Sequence, residues 1–549
     1  MKRLFILILL ITITQTTLAQ TWQDTVNTIT HYFDRYNREG PGCQLSISLN
    51  GKIVFSKAWG LADIERHVPY TTETVTEAGS ITKQFTAACI LLLEQQGKLS
   101  LDDNVRKYIP ELPEYGTPIT LSNLLHHTSG IREWSSLEAI TGWPRTTKAY
   151  TNEDVLNMLY RQKKLNNIPG TEYIYSNSNY LLLTAIIERL SGMTLPEFSD
   201  KYIFKPAGMT HTRWRDNFKA VVPNRGIAYI KRGGQYRIDM PNENLYGPGA
   251  LLTNTDDLLK WTNYILNNKL GEPGLLYKQL TTVPIPGGAD AYYAAGLFIG
   301  KYNGYDIVSH TGQTAGYLGA VESLPALKLS VAWLSNAIEF TDSLYIGMDK
   351  IDNLFIGHPP KIEPVKSIIP VKVPAEKLKQ YVGWYSDNRT NKGANITQHN
   401  DTLLLNGVPM MAINDVRFKY KESWVEFNRT GRFTLTTTEK VKIPFTKRTA
   451  PKPNPAYVRS FVGTYYSPET ESSFKLSYKD GKLVLDQNYL RHIVFSPTYK
   501  DAFSFSLELD SDMSPVECNI LFKSSDKNII TGCLVSMYDA RNIEFVKTR

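Results

Sequence analysis

The stretch TEAGSITKQFTAACILLLEQQGKLSLDDNVRKYIPELP, residues 76–113, decides how the rest of the chain is read. Ser80 and Lys83 stand three apart at the start of a run in which Phe85, Ala88, Cys89 and Leu92 recur with helical spacing, so both side chains project from the same side of a first turn. A serine hydroxyl is barely ionised at neutral pH and needs an adjacent base to act as a nucleophile; this spacing puts Lys83 within hydrogen-bond reach. The free N–H groups of a helix start also favour negative charge gathering on a nearby oxygen. Gly97 supplies a helix stop, and Leu99, Leu101, Val105, Tyr108 and Ile109 continue an apolar ribbon that fixes the helix in a core. The Ser-x-x-Lys pattern recurs at Ser472–Lys475 and Ser524–Lys527, but in strand-like and turn-like surroundings with no helix to bring both groups to one face.

Outward from this stretch, residues 1–19 read as a secretory leader: Lys2 and Arg3, an apolar stretch from Leu4 to Ile13, then the small-residue cleavage site Thr17-Leu18-Ala19 before Gln20. The apolar stretch falls well short of the roughly 20 residues that span a bilayer, so the expectation is an exported protein, periplasmic or secreted, without a membrane span once the leader is removed. The 549 residues are too many for one core. With 42% hydrophobic and 21% charged residues the composition is that of folded globular domains. The formal charge of +8 includes Lys2 and Arg3 and is spread without a basic block, which argues against a nucleic-acid partner. The nine histidines form no metal-ligand spacing beyond the adjacent His126-His127, so neither a metal nor another cofactor is expected.

A short helix over 22–36 leads to an alternating run from Gln44 to Leu49, then Asn50-Gly51, then Ile53 to Trp59, a hairpin pattern. From Leu121 to about Trp261 the pattern is mostly helical. Strand-like runs return at 296–301, 305–309, 319–324 and 328–334, before a last helix near 342–355. Strands at both ends with helices between imply one sheet assembled from distant segments, a helical lobe inserted in it, and a cleft between the two. Residues 20–357 therefore read as an α+β domain with an antiparallel sheet flanked by helices, and 358–374, rich in Pro, Lys and Val, as a linker. Beyond it the chain repeats: Tyr381-Val382-Gly383-Trp384-Tyr385 returns as Phe461-Val462-Gly463-Thr464-Tyr465, and Leu403-Leu404-Leu405 as Leu483-Val484-Leu485. Two small antiparallel β-barrel units, 375–452 and 453–549, lipocalin-like in outline, account for this. The patterns on either side of the linker are self-contained, which predicts that the first part stands alone if the chain is cut near Lys361. A turn centred on Ser525-Asp526 would bring Cys518 opposite Cys533, the basis for expecting a disulfide in an oxidising compartment.

Two further stretches complete a chemical set. Tyr175-Ser176-Asn177 offers a phenol that could share proton transfer with Lys83, its pKa lowered by that cation, and an amide that could orient a substrate. His310-Thr311-Gly312-Gln313 lies on a strand-like run where Gly312 lets a substrate backbone approach closely. Taken in order, Ser80-Ile81-Thr82-Lys83, Gly97-Lys98-Leu99-Ser100-Leu101-Asp102-Asp103, Leu124-Leu125-His126-His127-Thr128-Ser129-Gly130, Tyr175-Ser176-Asn177, Gly247-Pro248-Gly249-Ala250-Leu251 and His310-Thr311-Gly312 resemble the serine β-lactamase and penicillin-binding family, in its class C-like branch with D-aminopeptidases and esterases. The resemblance covers Cys43 to Phe355. It implies a serine hydrolase in which Ser80 is acylated, Lys83 and Tyr175 are the acid/base pair, Asn177 contacts substrate and His310 lines the opposite wall. The backbone N–H groups of Ser80 and Gln313 would then hold the oxyanion. Penicillin-recognising members usually carry Lys where this chain has His310, and a neutral imidazole holds a carboxylate more weakly. Histidine there resembles the D-aminopeptidase and esterase members, as does the pair of C-terminal β units. The expected partner is a peptide or small-molecule substrate: a D-residue amide or peptide first, an ester or a β-lactam as alternatives within the same chemistry. An inactive hydrolase scaffold with ligand-holding barrels is the alternative from another class.

Overall fold

In the hairpin Cys43–Leu49 (β1) and Lys52–Trp59 (β2), Leu49 pairs with Lys52 across Asn50 and Gly51, both at positive φ (53° and 76°), as a tight turn that matches strand twist requires. The computed structural model describes residues 22–34, 36, 39–143, 148–289, 292–338, 341–356, 369–428, 430–452, 454–507 and 515–548. The leader expected over 1–19 and the larger part of the linker expected over 358–374 lie outside these residues. The hairpin is joined by Phe298–Tyr302 (β3), Tyr305–Thr314 (β4), Tyr317–Leu324 (β5) and Leu329–Ser335 (β6) in one antiparallel sheet of order β3-β4-β5-β6-β1-β2. β1 and β6, nearly three hundred residues apart, pair along their whole length from Cys43 with Ser335 to Leu49 with Leu329. The alternation of β1 explains its two faces. Cys43, Leu45 and Ile47 pack into a core with Ile29 of Trp22–Tyr32 (α1) and Ile351 of the helix Thr341–Ile356. Gln44, Ser46 and Ser48 turn to the helix Thr255–Leu266, where Ser46 Oγ lies 2.8 Å from Thr255 Oγ1 and Ser48 Oγ donates to Asn263 Oδ1 at 3.1 Å.

Lys83–Gln95 (α2) is apolar on nearly every side, and eleven of its residues are buried; a helix of that composition belongs at the centre of a domain. The sequence reading starts this helix at Ser80. In the structure Gly79–Thr82 is a tighter 3₁₀ turn, and Lys83 is the first α-helical residue. Trp134–Ile140 (α3) and Asn177–Ser191 (α4) belong to the helical lobe packed beside α2. No helix among the described residues is long and apolar enough to cross a membrane.

The C-terminal part forms two nine-stranded antiparallel sheets, each closing its first long strand on its last: Gly383–Asp387 on Lys442–Arg448, and Gly463–Ser467 on Ile543–Lys547. The sequence repeat is a repeat of structural duty. Tyr385 donates its hydroxyl to the Tyr381 carbonyl at 2.9 Å, and Tyr465 does the same to Phe461 at 2.7 Å.

Two expectations are corrected. The last β unit is not self-contained: its apolar interior, including Phe461, Phe474 and Phe545, is continuous with that of α2, α3 and α4. Arg132 of the lobe and Glu469 of this unit form an ion pair at 2.8 Å with exposures of 0% and 3%, so the contact between them is buried. The expected Cys518–Cys533 disulfide is also absent, and both residues are buried free thiols. The hairpin turn is wider than expected. Ser525 N bonds the Ile529 carbonyl, and a bulge at Lys523/Ser524 sets Phe522 opposite Cys533, leaving Cys518 on another rung across from Phe505.

Candidate active site

Gly79 and Gly312 bring two backbones together. A Cβ on Gly79, at φ +52°, would sit 2.5 Å from the Gln313 nitrogen, and one on Gly312 would collide with the Ala78 carbonyl oxygen. Only glycine permits this apposition, which sets the end of β4 against the turn carrying Ser80. Lys83 is fully buried beneath it, and its Nζ lies 2.9 Å from Ser80 Oγ, 2.7 Å from Asn177 Oδ1 and 2.7 Å from the Pro248 carbonyl oxygen. Burial pulls the Lys83 pKa down to about 7, against an opposing pull from the Glu133 carboxylate. The three contacts suit both protonation states. An ammonium donates to all three oxygens; a neutral amine keeps its two N–H bonds for Asn177 and Pro248 and turns a lone pair toward the Ser80 hydroxyl.

Tyr175 stands beside this pair, its ring 4.9 Å from Lys83 Nζ. Its buried hydroxyl forms no hydrogen bond of good geometry, although it faces Ser80 closely enough for the serine to draw its pKa back part of the way. Here the sequence reading is corrected: burial outweighs any help from Lys83, and the phenol is shifted up rather than down. Of the two, Lys83 is the one with an unprotonated fraction available to accept a proton near neutral pH.

Asn177 is the first residue of α4, and its position is fixed by a residue the sequence reading missed. The Glu133 carboxylate, 3% exposed, accepts from Ser176 Oγ at 3.0 Å, from the backbone N–H groups of Asn177 and Ser178, and from Asn177 Nδ2 at 3.1 Å. It is an anionic cap on the N-terminus of α4 supplied from another element. His127, also unassigned in sequence, is fully buried with its ring 4.3 Å from that of Tyr175; its Nδ1 accepts from Ser176 N and faces the Asn179 amide. No spacing in the sequence marks either residue, because their partners lie more than forty positions away.

Ser80, Asn177 and Gln313 line one cleft of about 250 Å³, together with Trp134, Trp143 and Leu245. His310 does not. The two-residue period of β4 turns it inward, 2% exposed, with Nε2 3.1 Å from the Tyr293 hydroxyl and Nδ1 2.6 Å from the Thr311 carbonyl oxygen. Burial, with the Lys83 cation adding to it, pulls its pKa down to about 3, so the imidazole is neutral. None of the described residues lining the cleft is a Lys, Arg or His. Cys518 and Cys533 lie in the last β unit, away from this cleft.

A cleft serine set on a buried lysine, between sheet and helical lobe, defines a class of fold and site, and sequence comparison gives it a family. The chain belongs to the β-lactamase-fold family of serine hydrolases: the family model described as Beta-lactamase matches residues 25–343. Protein flp from Staphylococcus aureus (strain NCTC 8325 / PS 47) is 30% identical over 307 residues, 54% of this chain and 59% of that protein. A D-aminopeptidase from Gluconobacter oxydans (strain 621H) is 28% identical over 302 residues, 54% of this chain and 56% of that protein. The chain thus spans a little over half the length of these relatives. The solved structure of an octameric penicillin-binding protein homologue from Pyrococcus abyssi shares the fold, with a TM-score of 0.54 at 21% identity, over 96% of this chain and 99% of that one.

Proposed function

We propose that the chain is an exported hydrolase that forms an acyl-enzyme through Ser80 and cleaves the amide of a D-amino acid or D-residue peptide. The observation that carries the reading is the Lys83 Nζ to Ser80 Oγ contact at 2.9 Å in a buried site that pulls the Lys83 pKa to about 7. Neutral Lys83 takes the Ser80 proton while Oγ bonds to the carbonyl carbon, and the new oxyanion is held by the N–H groups of Ser80 and Gln313. The Lys83 proton then passes, by way of the Tyr175 hydroxyl, to the departing nitrogen as the carbon–nitrogen bond breaks. Water attacks the acyl-enzyme in the reverse sense and frees Ser80. Asn177 orients the substrate amide while fixing Lys83.

With His310 neutral and turned inward, the described residues lining the cleft include no cation to hold a substrate carboxylate. This favours an amide over a penicillin-like acid, in keeping with the similarity to a D-aminopeptidase. It leaves esters as a second substrate class. Rates on D- and L-aminoacyl amides, short-chain esters and a chromogenic cephalosporin rank the classes, and cephalosporin turnover above that of every amide would overturn the order. Ser80→Ala should abolish turnover and fluorophosphonate labelling with the fold retained; turnover surviving it would end the acyl-enzyme reading. Because only the unprotonated amine accepts a proton, kcat/KM should climb about tenfold between about pH 6 and 8. A profile flat across that range would remove Lys83 as the base. Export is tested by the N-terminus of protein recovered from outside the cytoplasm, expected at Gln20.

A further inference from the structure

One of the hairpins that differ between the two β units lies beside the cleft. In the first, Thr402–Leu405 turns through Asn406-Gly407 into Val408–Pro409; in the second, Lys482–Gln487 runs two residues further and turns at Asn488-Tyr489 into Leu490–Val494. That extension ends on the rim of the cleft. Tyr489 N donates to the Gly142 carbonyl at 3.1 Å, and Asn488 Nδ2 to the Thr141 carbonyl at 2.8 Å. Gly142, at φ +79°, lies so close that a Cβ there would sit 2.8 Å from Gln487 Cγ. The next residue, Trp143, lines the cleft that holds Ser80, and its ring centroid lies 5.2 Å from that of Tyr489. Both rings stay open to solvent, at 38% and 58% exposure. The seat is held by two hydrogen bonds and a close backbone approach, and the aromatic surface above it is exposed.

We propose that Trp143 and Tyr489 together form a substrate subsite at the outer end of the cleft, taking an aromatic or bulky apolar group of the substrate, so that the last β unit is part of the binding site. The inference rests on the amide-hydrolase reading for its substrate class. Trp134, Ala139 and Leu245 continue the apolar lining between this rim and Ser80. An aromatic group against two such rings gains more than its buried area alone would give.

The test is isothermal titration of full-length Ser80→Ala protein with phenylalanine amide and with alanine amide, each in D and L form. The parent should prefer the phenylalanine compound. Adding Tyr489→Ala should weaken phenylalanine amide about three- to tenfold more than alanine amide, Trp143→Ala should act the same way, and Tyr489→Phe should restore the preference. No preference in the parent, or equal losses for both compounds in both alanine variants, overturns the subsite. Failure of the acyl-enzyme reading is distinguishable, because it appears as turnover in Ser80→Ala, whereas the titration depends on no chemistry.

Discussion

The two β units have the same strand order and the same tyrosine-to-backbone bond, yet they are attached to the molecule differently. The first keeps its own interior, with Tyr385, Phe418, Phe427 and Phe433 in a core of their own. It reaches the lobe through Arg389, which bonds Asp387 and Glu172 with side chains 17%, 6% and 12% exposed. The second shares its interior with the lobe and ties itself in with the fully buried Arg132–Glu469 pair. Arg389 and Glu469 stand eighty residues apart, the offset of the repeat, so equivalent positions carry opposite charges and reach different partners. The shared strand order gives the pair one architecture; residues at one end of each barrel decide what each unit is joined to.

The sharpest way to break this comparison is at the buried pair. Glu469→Ala leaves the Arg132 guanidinium buried without its carboxylate, at an expected cost of about 3–5 kcal/mol. Chemical denaturation followed by fluorescence checks it, and a loss below 1 kcal/mol would mean that the second unit is no more firmly attached than the first. Next in size is a kinetic effect. The Glu133 backbone N–H donates to the Asp539 carbonyl at 2.9 Å, and Ser136 Oγ donates to Asp539 Oδ1 at 2.7 Å, so the second unit grips the residue that caps α4 and places Asn177. Glu133→Ala should lower kcat on the order of 10²-fold with smaller change in KM, since it displaces Asn177 and Lys83 without touching substrate. An unchanged kcat in a folded variant would cut the link between this unit and the chemistry.

Arg389→Ala is the matching change in the first unit and should cost less, about 1–3 kcal/mol, because Glu172 keeps two bonds from Arg541 at 2.8 and 2.9 Å. If it costs as much as Glu469→Ala, the two attachments are equivalent after all. The smallest effect concerns the hairpin of the second unit that carries the two cysteines. Cys518 and Cys533, set on different rungs and fully buried, should resist alkylation in the native protein and both react after unfolding without reductant. A peptide linking them in a non-reduced digest would restore the narrower turn.

Local spacing made Ser80 and Lys83 legible: three residues on one turn bring the groups together whatever the surrounding fold. The same holds for the Asn50-Gly51 hairpin and for the repeat of the β units, whose signals lie within a few residues or recur at fixed distance. The Tyr175 phenol was placed correctly beside Lys83 but assigned the wrong direction of pKa shift, because neighbouring charge can be guessed from sequence and burial cannot. Glu133, His127 and the inward turn of His310 depend on which distant elements pack together, as do the sharing of the last unit's core and the meeting of Tyr489 with Trp143. The cysteine register depended on a bulge and a wider turn, which the pattern of apolar residues does not encode. Sequence alone determined that Ser80 and Lys83 meet, because their spacing is written within one turn. Tertiary structure decided what caps, positions and surrounds them, because each of those contacts joins residues whose separation along the chain carries no information about their separation in space.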